Sequence, residues 1–171
     1  DAEAATHAAP FIDGADPANT NPLMYFTQSS GVGGDVIRDH KIASRLTGQL
    51  GEYGHTPVTI DGHTDTIENF ISGPAVERRY GNHTHSVQQL GQLHTLEAEH
   101  AWRTVGRTFG RAIAAFVPSI GMSHVVIGGG VSRDSHRYAE SLRTELEVSL
   151  SKNAVHQNGM AKVPEVLFVP P

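Results

Sequence analysis

The stretch from Leu96 to Gly130 constrains this chain more than any other. Trp102, Val105, Phe109, Ile113 and Phe116 recur at steps of three and four residues, so they form one apolar stripe on a helix over Leu96–Val117. Pro118 is expected to end that helix, because it has no N–H to donate. His124-Val125-Val126-Ile127 then reads as a short buried strand that runs straight into Gly128-Gly129-Gly130. A long amphipathic helix followed by a buried strand that opens into glycines belongs to an α/β domain.

The other segments agree. Leu23–Gln28 is β-prone, Ser29–Gly34 is a glycine-rich turn and Val36–Arg38 is the return strand, so the unit reads as a hairpin. Lys41–Tyr53 is irregular and polar, Thr56–Ile60 reads as a strand, and Asp61–Asp65 as a loop. Ile67–Phe70 begins a helix, Ser72 caps a second one with Pro74 in its first turn, and Val87–Gln92 is a third. Tyr138–Leu150 is amphipathic, with Leu142, Leu146 and Leu150 on one face, and Val166–Val169 is a last strand. Residues 1–9 are Ala-rich and read as helix up to Pro10, and 11–22 as loop.

Composition removes several functions. With 171 residues the chain fits a single domain, and no apolar run approaches the roughly 20 residues of a membrane helix. Asp1-Ala2-Glu3 supplies no basic start for a signal peptide. A net charge of −5 argues against a nucleic-acid backbone binder. There is no cysteine, so disulfides, thiolate nucleophiles and Cys-based zinc sites are excluded. The first residue is not Met, which leaves open a longer natural protein.

Two glycine-rich turns, Ser29–Gly34 and Gly128–Gly130, follow strands and would let backbone N–H groups approach a phosphate or nucleotide. Neither carries a Walker lysine or a dinucleotide fingerprint, and each also fits a plain tight turn. A third cluster, Gly51-Glu52-Tyr53-Gly54-His55 with Glu68 beyond it, offers two carboxylates and an imidazole. Sugar hydroxyls, each both donor and acceptor, suit such a set; solvated surface charges are the plain alternative.

Taken in order, Gln28–Gly34, Gly51–His55, Glu68–Ala75 and Val125–Ser132 resemble the ROK family of sugar kinases and sugar-responsive repressors. The resemblance implies an actin-like ATPase (ribonuclease H-like) fold, an α/β large domain with a mixed sheet and flanking helices. It implies transfer of the γ-phosphate of ATP, with Mg²⁺, to a hexose such as glucose, mannose or an N-acetylhexosamine, in a cytoplasmic homodimer with neither nucleic acid nor membrane bound by this domain. Asp1, in Asp1-Ala2-Glu3-Ala4-Ala5, takes the general-base position. Glu52, His55 and Glu68 match sugar ligands, Ser30, Gly31 and Gly33 the second phosphate loop, and Gly129 and Gly130 the adenosine-contacting turn.

The departures are specific. The family's Gly-Thr-Gly phosphate turn is Ser29-Ser30-Gly31 here, and Asp35 stands where a small residue is usual, a carboxylate expected to repel phosphates unless it faces Mg²⁺ or points away. The family's cysteine zinc motif is missing; His55, His63 and Asp65 lie close in sequence and His83 and His85 form another pair, but loop histidines are usually solvated and no metal is expected. The Asp-x-Gly-x-Thr loop of the family's small N-terminal lobe is absent, as is the terminal helix, so residues 1–171 read as the large lobe alone, inactive without its partner lobe. The alternatives are the sugar-sensing domain of a ROK-type repressor, or a non-catalytic ROK domain used for association.

Overall fold

The computed structural model describes residues 22–38, 41–42, 52–80, 85–152, 159 and 162–169. The expected helix over 1–9, and Asp1 with it, lie outside them. In chain order the elements are β1 (Leu23–Gln28), β2 (Val32–Arg38), β3 (Lys41–Ile42), a 3-10 turn (Tyr53–His55), β4 (Pro57–Ile60), β5 (His63–Thr66), α1 (Ile67–Ile71), α2 (Gly73–Tyr80), α3 (Val87–Gln92), α4 (Leu96–Ile120), β6 (His124–Gly128), a 3-10 segment (Gly130–Arg137), α5 (Ala139–Ser151) and β7 (Glu165–Phe168).

β1 and β2 pair antiparallel, from Leu23 opposite Ile37 to Gln28 opposite Val32. β6 lies parallel to β1, and β7 parallel to β6. The result is a mixed five-stranded sheet ordered β3-β2-β1-β6-β7, beside a separate β4–β5 hairpin. Alternation sorts the strands onto two faces. Met24, Phe26, Val125 and Ile127 join the helices in the main core, while Leu23, Tyr25, Val126 and Ile42 form a smaller cluster on the other face. Val125, Val126 and Ile127 are all buried, which explains a continuous apolar run rather than an alternating one.

The stripe on α4 faces the sheet as the periodicity requires, with Trp102, Val105, Phe109 and Ile113 fully buried. Trp102 Nε1 donates to Leu90 O at 3.2 Å and pins α3 to α4. α5 packs along α4 at Gly106 and Gly110; a Cβ at Gly110 would lie 2.6 Å from Leu142 O, so only glycine permits this approach. Among the described residues no helix is long and apolar enough to cross a membrane.

Several boundaries differ from expectation. Pro118 does not end α4: the helix continues to Ile120. Proline removes one N–H from the last turn, yet Gly121 adopts φ 68° and its N–H still reaches Val117 O at 2.8 Å. Asp61–Asp65 is not a loop but a tight hairpin, turning at Asp61 and Gly62 with φ 51° and 81°. Positive φ at both positions is the geometry that Asp-Gly favours, and the dipeptide carried that signal. β2 begins at Val32, so Gly33 and Gly34 lie in the strand, opposite Thr27 and Phe26. Lys41-Ile42, expected to be irregular, adds a short edge strand.

Candidate functional site

The two glycine turns meet at the carboxyl ends of neighbouring parallel strands, the position where open α/β sheets bind ligands. Thr27 of β1 lies opposite Gly128 of β6. Beyond β1, Ser29-Ser30-Gly31 closes on itself, with Ser29 N–H donating to Gly31 O at 2.9 Å. Beyond β6, Gly129 takes φ 98°, and a Cβ there would overlap the backbone of Gln28. The buried Ser132 hydroxyl lies 2.7 Å from Gly129 O and 3.0 Å from Val169 O, which ties this turn to the end of β7. At Gly130 a Cβ would meet nothing within 4 Å, so that side of the turn is open.

The candidate sugar residues gather around the first residue of β2. Gly54 is buried so tightly against the Val32 carbonyl that a Cβ would overlap it. On either side of Gly54, Glu52 and His55 are exposed, with Oε2 and Nε2 3.6 Å apart. From α1, Glu68 Oε2 accepts the Val32 N–H at 2.9 Å. Val32 therefore packs its carbonyl against Gly54 of the Glu52–His55 turn and donates its amide to Glu68.

α1 has five residues, too few to hold a helix by propensity. Side chains on both flanks secure it. Thr66 Oγ1 accepts Asn69 N–H at 3.1 Å as an N-cap. Asp65 accepts the Asn69 side-chain amide at 2.9 Å, the Thr66 N–H at 2.8 Å and Arg79 Nη2 at 3.2 Å. The Asn69 bond leads the set that holds the Asp65 carboxyl below its ordinary range. Arg79 lies over the Phe70 ring at 4.4 Å, and His63 meets the same ring edge-on at 5.8 Å. His63 and Asp65 thus flank the Arg79–Phe70 pair, with Nε2 and Oδ2 3.7 Å apart. Among the described residues no group of three or more His, Asp or Glu side chains is placed to hold a metal.

Asp35, expected beside the phosphate turn, lies instead within β2, opposite Tyr25 and nearly buried. Its charge adds to burial in raising the Tyr53 phenol. Sequence reasoning passed over Gln28. This fully buried amide donates to Ile71 O at 2.7 Å and accepts from the Tyr138 hydroxyl at 3.1 Å, joining the end of α1 to the start of α5. A polar residue closing the apolar run Leu23–Phe26 was the one available signal.

The mixed sheet thus sets two glycine turns at the carboxyl ends of β1 and β6, with the Glu52, His55 and Glu68 cluster against the first of them. The model of the ROK family matches residues 1–165, and the chain belongs to that family. A Bacillus subtilis (strain 168) protein named "Putative fructokinase" is 23% identical over 124 residues, 68% of this chain and 39% of that protein. Among solved structures, the ROK hexokinase from Thermus thermophilus superposes with a TM-score of 0.71 at 24% identity, covering 86% of this chain and 51% of the other. A ROK family glucokinase from Streptomyces griseus, in complex with glucose and AMPPNP, gives 0.73 at 20% identity, covering 96% and 60%. A ROK family transcriptional regulator, a homolog of the E. coli MLC protein, gives 0.66 at 15%, covering 88% and 42%. The fold is that of the actin-like ATPases, and the chain spans about 40 to 60% of the length of these relatives.

Proposed function

We propose that this chain is the sugar- and nucleotide-binding large lobe of an ATP-dependent hexose kinase. The observation that carries the reading is that Val32 bonds Glu68 through its amide and packs against Gly54 of the Glu52–His55 turn, beside the Ser29–Gly31 turn. In this reading Glu52, His55 and Glu68 take the hydroxyls of a glucose, mannose or N-acetylhexosamine ring. Ser30 and the backbone at Gly31 and Gly33 face the phosphates, and Gly129 and Gly130 the nucleoside. The open space at Gly130 fits a flat ligand lying on that turn. ATP with Mg²⁺ supplies the phosphoryl group. Asp1 serves as general base and accepts the proton of the attacking hydroxyl. The small lobe completes the cleft, since such transfer depends on positioning and charge neutralisation from both sides. The working protein in this reading is a cytoplasmic homodimer.

A repressor-type sugar sensor would use the same three sugar side chains, and the likeness to a ROK regulator supports that second reading. The two glycine turns favour the kinase, since a sensor has no need of a nucleotide site. Calorimetric titration of the chain with glucose, mannose and N-acetylglucosamine tests the sugar assignment. At least one sugar is expected to bind, and His55→Ala and Glu68→Ala are expected to weaken it at least about tenfold, the loss of a hydrogen bond to a charged or polar partner. Equal binding by the variants, or none by the parent, overturns the assignment.

A further inference from the structure

Glu68 is the one candidate sugar ligand whose carboxylate also touches the phosphate-side turn. Its Oε2 accepts the Val32 N–H at 2.9 Å, and a Cβ on Gly31 would sit 2.7 Å from that oxygen. Two further bonds join the α1–α2 segment to the end of β1 and the turn after it. Gly73 N–H donates to Ser29 O at 2.7 Å, and Gln28 Nε2 donates to Ile71 O at 2.7 Å. The first is wholly backbone and the second lies in the buried interior, so both stay fixed when a ligand arrives. The Glu68–Val32 bond is different, because its acceptor is a half-buried side chain, and the terminal torsion of a glutamate is broad.

We propose that Glu68 couples the sugar subsite to the Ser29–Gly31 turn, so that a sugar held by Glu68 rigidifies the backbone where the phosphates would lie. The coupling rests on the sugar assignment above. A hydroxyl donating to Glu68 fixes the plane of the carboxylate and with it the direction from which Oε2 receives the Val32 N–H. The turn is then ordered before the phosphoryl donor arrives, and the donor avoids that part of the ordering cost. Gly31 has a second reason to be glycine. It leaves room for the carboxylate, so a methyl group there displaces Glu68 without touching a sugar.

Amide hydrogen exchange of the ¹⁵N-labelled 171-residue chain, read by NMR with and without saturating glucose, mannose or N-acetylglucosamine, tests the coupling. The sugar that binds is expected to slow exchange of the Val32 amide at least about fivefold, the low end of ordinary coupling between sites. Gly31→Ala is expected to fold, because the atom it displaces is the far end of a flexible side chain, and to weaken the same sugar at least about tenfold. Sugar binding with unchanged Val32 exchange overturns the coupling and leaves the sugar assignment standing. Undiminished sugar affinity in a folded Gly31→Ala chain overturns the coupling too, and removes Glu68 from the sugar ligands. No binding by any of the three sugars overturns both. The Val32 measurement needs no variant, so a failure of Gly31→Ala to fold does not shield the proposal.

Discussion

At the scale of single residues, this site is organised by what is missing from glycine. Gly54 and Gly129 carry no Cβ because the backbones of Val32 and Gln28 occupy that space. Both glycines stood in motifs legible in the sequence, but their packing partners did not. Gly54→Ala must push the Tyr53–His55 turn off β2, which moves backbone rather than a pliable side-chain end. A loss of about 1–3 kcal/mol in stability is expected, measured by urea unfolding followed by circular dichroism. An unchanged unfolding midpoint would mean that the turn does not rest on Val32. Asp35 shows the opposite outcome. Its sequence neighbours placed it by a phosphate turn, and strand pairing carried it away, because β2 starts at Val32 and sets Asp35 opposite Tyr25.

At the scale of elements, the long helices stand on their own stripes, whereas the short ones depend on clamps. α4 was readable because thirteen of its residues are buried on a regular repeat. α1 and the β4–β5 hairpin were harder, since their order comes from Asp65, Arg79 and the Phe70 ring. The hairpin turn is fastened from the far side as well. Arg107 bonds Asp61 Oδ2 at 2.8 Å and Glu145 at 3.2 Å, while Arg111 bonds Glu145 at 2.6 Å and the Thr59 carbonyl. Burial pushes the Glu145 carboxyl up, but the hydrogen bonds from Arg111 and Arg107 outweigh it and leave it below the ordinary 4.5. The unfolded chain therefore binds a proton near pH 4.5 that the folded chain refuses, so this contribution is present at neutral pH and fades as the pH falls below that value. Glu145→Gln is expected to cost about 1.5–3 kcal/mol at pH 7 and to flatten the loss of stability between pH 5 and 3, relative to the parent, in acid titrations of the thermal midpoint. An equal slope in both proteins would remove Glu145 from the acid response.

At the scale of the whole molecule, the large-lobe reading makes a prediction about activity. The 171-residue chain is expected to show no robust ATP consumption with glucose, mannose or their N-acetylamino forms. Activity is expected to return when a small lobe with an Asp-x-Gly-x-Thr loop is supplied. In that completed protein Asp1→Asn should lower turnover about 10²–10⁴-fold, the usual worth of a general base, while sugar affinity largely survives. Vigorous turnover by the chain alone, in a coupled assay, would show that its cleft is already complete. What the sequence by itself determined is local: the period of α4, the buried run of β6, the glycine turns and the order of the ROK motifs. Those signals act within a few residues, through side-chain alternation and backbone freedom. The joining of Val32 to Glu68, Gln28 to Ile71 and Tyr138 to Gln28 spans 36, 43 and 110 positions. Only tertiary packing could decide it, because the parallel alignment of β1 with β6 and the burial of both sheet faces set which distant groups meet.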